Sequence, residues 1–211
     1  MKNILPLTLL GWVILGATFL AYAIMMVGIV KNRGRGQKFF TWLLWAILDV
    51  LLYITTEEEN GHCLFLVFGC VVCSSITTLL LIKFKNWEWT DTETSVSITT
   101  IIFVIVWLIS GSSLLGLILA VVAQLVAGWP LMKESWMKPG SGITLISYII
   151  FVIVYALAII ESPDWDPKNV IFPIAFLIYT IGDTFPLLRK WLRIKKRKTS
   201  LDLSLHISKS I

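Results

Sequence analysis

The segment TWLLWAILDVLLY, residues 41–53, is apolar over the length of a membrane helix except for one carboxylate, Asp49. An α-helix rises about 1.5 Å per residue, so Asp49 lies roughly 15 Å from the basic flank, near the middle of a bilayer core about 30 Å thick. An ionised aspartate at that depth costs at least about 2.5 kcal/mol on insertion scales, so we expect it to face a polar cavity. Trp42 and Trp45 share its helical face at i, i+3 and i+7. The segment therefore predicts a binding face with two flat rings and one acid.

Composition indicates a polytopic helical membrane protein. The 211 residues are 57% hydrophobic and 15% charged, whereas a soluble domain carries about 25% charged residues. The charges lie in short clusters between long apolar runs, and the runs do not alternate as the strands of a β-barrel do. The first run is longer than a signal-peptide core and has no small-residue cleavage site, so we interpret it as a helix. The net charge of +5 is explained by the flanks of the helices, and no nucleic-acid partner is expected.

Seven apolar runs predict an all-α protein with seven transmembrane helices. Their ranges are 4–30, 39–56, 63–82, 96–111, 113–132, 143–160 and 170–188. All lysines and arginines except Lys2 and Lys168 fall on one side of these spans. The positive-inside rule then places the N-terminus outside and the C-terminus in the cytoplasm. The polar tail, residues 199–211, is expected to be disordered.

An internal repeat emerges when the chain is shifted so that Trp42 falls on Tyr148. The same shift places Asp49 on Tyr155 and Lys83 on Arg189. Helices one to three then match helices five to seven, and the fourth helix is a linker that lets both triplets sit in the same orientation, as a parallel repeat. A chance match of two apolar triplets would also be possible, but the coincidence of turns, charges and aromatic positions argues against it. The predicted units are a first three-helix bundle at 1–85, a connector with the linker helix at 86–112, a second bundle at 113–198 and the tail at 199–211.

This three-plus-one-plus-three layout resembles the SWEET/PQ-loop transporter superfamily in its full-length, seven-helix form. The segment QLVAGWPLMKESWMKP, residues 124–139, is similar to the family's loop, in which a helix carries a proline near its cytoplasmic end before a basic turn with tryptophan. Trp42-x-x-Trp45-x-x-x-Asp49 resembles a signature of bacterial nicotinamide riboside transporters, where it lies in the second triplet. The resemblance implies a solute transporter in a bacterial inner (plasma) membrane.

The candidate site combines aromatic walls, which stack on ring-shaped solutes, with carboxylates and an amide, which bind hydroxyl or amide groups. The predicted substrate-binding residues are Trp42, Trp45, Asp49, Gln124, Tyr148, Tyr155, Tyr179 and Asp183. Pro130 and Pro186 are predicted hinges, because a proline inside a helix leaves a carbonyl one turn earlier without its partner.

Several of these residues would also suit a purely structural role. Trp42 and Tyr148 would serve equally as aromatic anchors at the membrane interface. Gln124 would serve as an interhelical hydrogen bond that holds the bundle together. Asp183 would make a hydrogen bond within its own helix, or a salt bridge to Arg189 about two turns away.

These features predict a transporter of a small polar solute (a sugar, a nucleoside or a vitamin-like compound) that works by alternating access. The second candidate is a seven-helix receptor or sorting protein on the same scaffold. An enzyme is disfavoured, because the sequence has no histidine-rich metal cluster and no Ser/His/Asp set, and His62 and His206 lie outside the spans. No catalytic residue, metal or cofactor is therefore predicted. The expected partners are the solute and the lipid bilayer, and the sequence leaves open the coupling ion and whether the chain forms a homo-oligomer.

Overall fold

The computed structural model describes residues 9–34, 37–58, 63–84, 87, 89, 91–137, 142–162 and 165–209. Within these ranges the chain forms seven α-helices. They are α1 (Leu9–Lys31), α2 (Phe39–Glu58), α3 (Leu64–Ile82), α4 (Asp91–Ser110), α5 (Ser113–Met137), α6 (Gly142–Glu161) and α7 (Pro167–Lys209). Each contains a segment that is long and apolar enough to cross a membrane. The predicted fold class, an all-α protein with seven transmembrane helices, is confirmed.

The start of α4 differs from the prediction. The helix begins at Asp91, five residues before the predicted span. Asp91 and Glu93 lie in its first turn, where negative charges are stabilised by the positive end of the helix dipole. The buried Glu93 also forms an ion pair with Lys38 at 3.3 Å, which ties the start of α4 to the start of α2. Hydropathy marks only the apolar part of this helix, and the polar first turn lies outside it.

The end of α7 also differs. The helix continues to Lys209, through the tail that was expected to be disordered. Residues 187–209 contain no glycine or proline, and many are lysine, arginine or leucine, which favour helices. Residues 4–8 of the first predicted span, and Lys138 and Pro139 of the loop segment, lie outside the described residues, as do the last two residues of the tail.

The prolines inside helices do not end them. Pro130 lies within α5, and Pro173 and Pro186 lie within α7. Each proline removes one backbone hydrogen bond and displaces the carbonyl of the residue four positions earlier, and the helix then resumes. The change of direction between α4 and α5 is made instead by Gly111, which has a φ of +62° and lies in the left-handed region that favours glycine.

Helices α1–α3 and α5–α7 form two triplets with matching internal contacts. In the first, α3 packs against both α1 and α2, and in the second, α7 packs against both α5 and α6. Two seams join the triplets, one between α1 and α6 and the other between α2 and α5. Both triplets thus have the same order of neighbours, which is the order a parallel repeat requires. The repeat itself and the orientation in the membrane stay predictions.

The fourth helix lies at the edge of the bundle. It packs mainly on α5, and only 17% of its apolar segment is buried, against 39% or more for each of the others. Gly116 of α5 makes this contact close, because a side chain there would meet the Trp107 ring of α4. The site between the two triplets therefore does not involve α4.

Candidate functional site

A small cavity lies in the middle of the bundle, where the two triplets meet. Its volume is about 40 Å³, which is room for about one or two water molecules. It is lined by Tyr22, Met25, Trp42, Trp45, Asp49, Cys70, Tyr148, Phe151, Tyr155, Phe172, Phe176, Tyr179 and Thr180. Sites for small molecules usually occupy about 300 to 1,000 Å³. The conformation is therefore closed, with no space for a ring-shaped solute.

Aromatic rings from both triplets form one continuous wall. Tyr22 of α1 meets Phe151 of α6 edge to face, with ring centroids 4.9 Å apart. Trp45 of α2 meets Tyr179 of α7 in the same manner at 5.8 Å. Such pairs are worth about 0.5 to 1.5 kcal/mol beyond the area they bury. The ring contacts thus hold the two triplets together in the closed conformation.

Asp49 is the acid of this cavity, and it is 5% exposed. Its Oδ1 accepts a hydrogen bond of 2.6 Å from Nε2 of Gln124, which lies on α5 across the seam. Ser74 of α3 also faces the carboxylate. The remaining amide atom, Oε1 of Gln124, is buried without a hydrogen-bond partner. The centre of the bundle therefore holds an acid and an amide with unused capacity to accept hydrogen bonds.

The polar groups of two cavity rings bind the backbone of α5. Nε1 of Trp45 donates to the Gln124 carbonyl at 2.8 Å, and the hydroxyl of Tyr179 donates to the Gly128 carbonyl at 3.0 Å. Each carbonyl has two lone pairs, so it can accept this bond beside its helical one. A side chain on Gly128 would lie 2.7 Å from the Trp45 ring and 2.8 Å from the Tyr179 hydroxyl. The glycine therefore permits both rings to reach α5.

Asp183 lies close to the cavity but outside its lining. It is fully buried, and both carboxylate oxygens lack a hydrogen-bond partner. The hydroxyl groups of Ser135, Tyr148 and Tyr179 face it, but none donates a hydrogen bond to it in this conformation. Neither structural role holds for this carboxylate: it makes no hydrogen bond within its helix, and no ion pair to Arg189 forms among the described residues.

Burial excludes the anchor role for two of the aromatic residues. Trp42 and Tyr148 are 2% and 7% exposed, so they do not lie at the lipid surface, where interface anchors belong. Gln124, by contrast, does make an interhelical hydrogen bond in this conformation.

Most of the predicted site residues come together around the cavity. Trp42, Trp45, Asp49, Tyr148, Tyr155 and Tyr179 line it, and Gln124 and Asp183 lie directly behind it.

The predicted hinges lie close to these groups in the sequence. Pro130 follows Gly128 by two residues in α5, and Pro186 follows Asp183 by three residues in α7. Both prolines are buried. Their role as hinges stays a prediction, because the structure shows one conformation.

Several residues that line the cavity were not predicted from the sequence, although a sequence pattern marks some of them. Phe172, Phe176 and Tyr179 are spaced at i, i+4 and i+7 with Asp183 four residues later, which is one face of α7. The shift that pairs Asp49 with Tyr155 also pairs Cys70 with Phe176, and both of these residues line the cavity. Tyr22, Met25 and Thr180 have no comparable pattern, since only the tertiary packing brings them to the cavity.

A larger hollow of about 800 Å³ opens on the outside of the bundle between α5 and α7. Its walls are apolar and include the exposed side chains of Trp129, Trp165 and Ile178. It shares Tyr179 with the central cavity. In a membrane this groove faces the lipid, and its walls offer almost no polar group to a polar solute.

In the described part of the chain, no group of three or more histidine, cysteine, aspartate or glutamate side chains is placed to hold a metal ion. Comparisons of the chain with protein-family models, with curated proteins and with solved structures found no match.

Proposed function

We propose that the protein is an integral membrane transporter that moves a small polar solute, such as a sugar, a nucleoside or a vitamin-like compound, by alternating access. The observation that carries the proposal is the buried Asp49–Gln124 pair in a ring-lined cavity between two helical triplets. Charged groups at membrane depth are costly and are usually retained for function.

The chemistry of the cavity indicates the class of solute. Asp49 accepts hydrogen bonds, and Oε1 of Gln124 is a buried acceptor without a partner. A solute with hydroxyl or amide hydrogens would satisfy both, and the surrounding rings would stack on a flat or ring-shaped body. The site therefore favours a ring-bearing compound with several hydrogen-bond donors.

The packing suggests how access would alternate. The cavity lies between two seams, each of which includes a hydrogen bond: Ser147 of α6 donates to the Ala21 carbonyl of α1 at 2.8 Å, and Trp45 of α2 donates to the Gln124 carbonyl of α5. Each such bond contributes about 0.5 to 1.5 kcal/mol. Rocking of one triplet against the other about these seams would open one end of the cavity while the other end stays closed.

The same neighbour order in both triplets supports the parallel repeat and a SWEET-like architecture. The distribution of lysine and arginine supports an N-terminus outside and a C-terminus in the cytoplasm. The resemblance to the SWEET/PQ-loop superfamily supports a location in a bacterial inner membrane.

The test uses purified protein and three probes, glucose, uridine and nicotinamide riboside, one from each solute class. We expect one of them to raise the melting temperature of the wild type and to be taken up by proteoliposomes. The substitution Asp49→Asn removes a charged acceptor, which is worth about 1.5 to 3 kcal/mol, so the affinity should fall by roughly 10- to 100-fold. The control is Glu57→Gln, which changes an exposed acid on the same helix and should leave binding unchanged.

Two outcomes would contradict the proposal. If Asp49→Asn binds the probe with the affinity of the wild type, Asp49 is not part of the site. If the wild type binds a probe but proteoliposomes do not take it up, the receptor or sorting function replaces transport.

A further inference from the structure

The carboxylate of Asp183 is a buried acid that the proposed solute site does not use. It lies on α7, is fully buried, and has no hydrogen bond to either oxygen. An ionised carboxylate without hydrogen bonds is strongly disfavoured in a protein interior. In this conformation an ionised Asp183 therefore has no hydrogen-bond donor.

Three neutral hydroxyl groups face this carboxylate, one from each helix of the second triplet. They belong to Ser135 of α5, Tyr148 of α6 and Tyr179 of α7. The two phenols are the titratable groups among them. The nearest cation along α7 is Arg189, which is exposed and forms no ion pair with Asp183.

The hydrogen bond that the Tyr179 hydroxyl already makes limits how it can interact with the Asp183 carboxylate. Its single hydrogen is donated to the Gly128 carbonyl at 3.0 Å, so the phenol oxygen can only accept a further hydrogen bond. An ionised Asp183 also only accepts, and two acceptors that face each other repel. A proton on Asp183 removes the conflict, because the carboxyl group then donates to Tyr179, and Tyr179 continues to donate to Gly128.

We propose that Asp183 binds a proton in the closed conformation and that this proton is transported together with the solute. The proton comes from water and returns to water, so an O–H bond forms and later breaks and no other reactant is needed. The coupling part of the proposal rests on the proposed transport function, whereas proton binding does not.

The route from Asp183 to the solute site is short. Tyr179 lines the central cavity, and its ring contacts Trp45. When Asp183 loses its proton, the Tyr179 hydroxyl can turn to donate to the carboxylate and release the Gly128 carbonyl. One bond that holds a cavity ring to α5 is then lost. The protonation state of Asp183 thus changes the wall of the cavity.

Infrared spectroscopy tests proton binding without any solute. A protonated carboxyl group has a C=O stretch well above the carboxylate bands, and the band shifts in D₂O. We expect this band in the wild type, its loss in Asp183→Asn, and a shifted band in Tyr179→Phe, where the acceptor oxygen is gone. Asp49→Asn is the control and should keep the Asp183 band. Identical spectra of the wild type and Asp183→Asn would overturn the proposal.

The spectra also separate a proton from a metal cation. If the band is absent and NaCl, but not choline chloride, raises the melting temperature of the wild type and not of Asp183→Asn, the site holds Na⁺ and the proton proposal is wrong. Asparagine lacks the negative charge that a proton or Na⁺ would bind. The Asp183→Asn variant should therefore lose the infrared band if the site holds a proton and the NaCl effect if it holds Na⁺.

Coupling is tested in proteoliposomes with labelled glucose, uridine and nicotinamide riboside under an imposed proton gradient. With one proton per solute, a gradient of one pH unit supports about tenfold accumulation of the transported probe. We expect the wild type to accumulate it and Asp183→Asn to stop at equilibrium. Wild-type uptake that ignores the gradient would overturn coupling. Absence of all uptake would overturn the proposed function, while the infrared result would still decide proton binding.

Discussion

Gly128 shows how a single residue shapes the cavity. Its missing side chain allows Trp45 of α2 and Tyr179 of α7 to approach α5 from two sides, and its carbonyl accepts the Tyr179 hydroxyl. The position of Asp49 in the middle of α2 could be predicted from its distance to the basic flank, because that needs only the helical rise. The role of Gly128 could not, since it depends on which side chains arrive from two other helices.

Gly128→Ala is predicted to destabilise the closed conformation. The new methyl group would overlap the ring of Trp45, and overpacking of this kind typically costs about 1 to 3 kcal/mol. The matched control is Gly16→Ala, a helical glycine of α1 at which an added side chain would meet no atom within 4 Å. Thermal unfolding in detergent, followed by tryptophan fluorescence, should show a lower melting temperature for Gly128→Ala only. Equal melting temperatures would show that Trp45 and Tyr179 do not pack closely on α5.

At the scale of elements, the spans were predictable and their ends were not. Continuous apolar runs of about 20 residues require helices in a membrane. The starting turn of α4 is polar and depends on the ion pair of Glu93 with Lys38, which joins residues far apart in the sequence. The end of α7 extends into residues whose helix propensity is high but whose hydropathy is low.

The linker helix provides a prediction at this scale. Gly116→Ala would place a methyl group against the indole of Trp107, close to its Nε1, so α4 must move away from α5. We expect a lower melting temperature and a shifted Trp107 emission, while binding of the probe identified with the wild type stays unchanged, because α4 does not line the cavity. Emission can be assigned with Trp107→Phe. A loss of probe binding that matches that of Asp49→Asn would contradict the peripheral role of α4.

At the scale of the whole molecule, the two triplets enclose the site between them. The predicted repeat sets Trp42, Trp45 and Asp49 opposite Tyr148 and Tyr155, and these five residues line one cavity. The repeat could not reveal how tightly the rings would close, because a cavity of about 40 Å³ depends on side-chain packing across both seams. Transport requires that this space open to several times its volume and become wet from each side in turn.

The most direct test of this account is the access of a water-soluble reagent to Cys70, the cysteine that lines the cavity. In the variant Cys63→Ala/Cys73→Ala, a charged, membrane-impermeant methanethiosulfonate is added to right-side-out and to inside-out vesicles. The control variant, Cys63→Ala/Cys70→Ala, keeps the equally buried Cys73 outside the cavity. We predict that Cys70 is modified in both kinds of vesicle and that Cys73 is modified far more slowly. If Cys70 reacts in neither kind but reacts after denaturation, the cavity does not open and the protein is not a transporter.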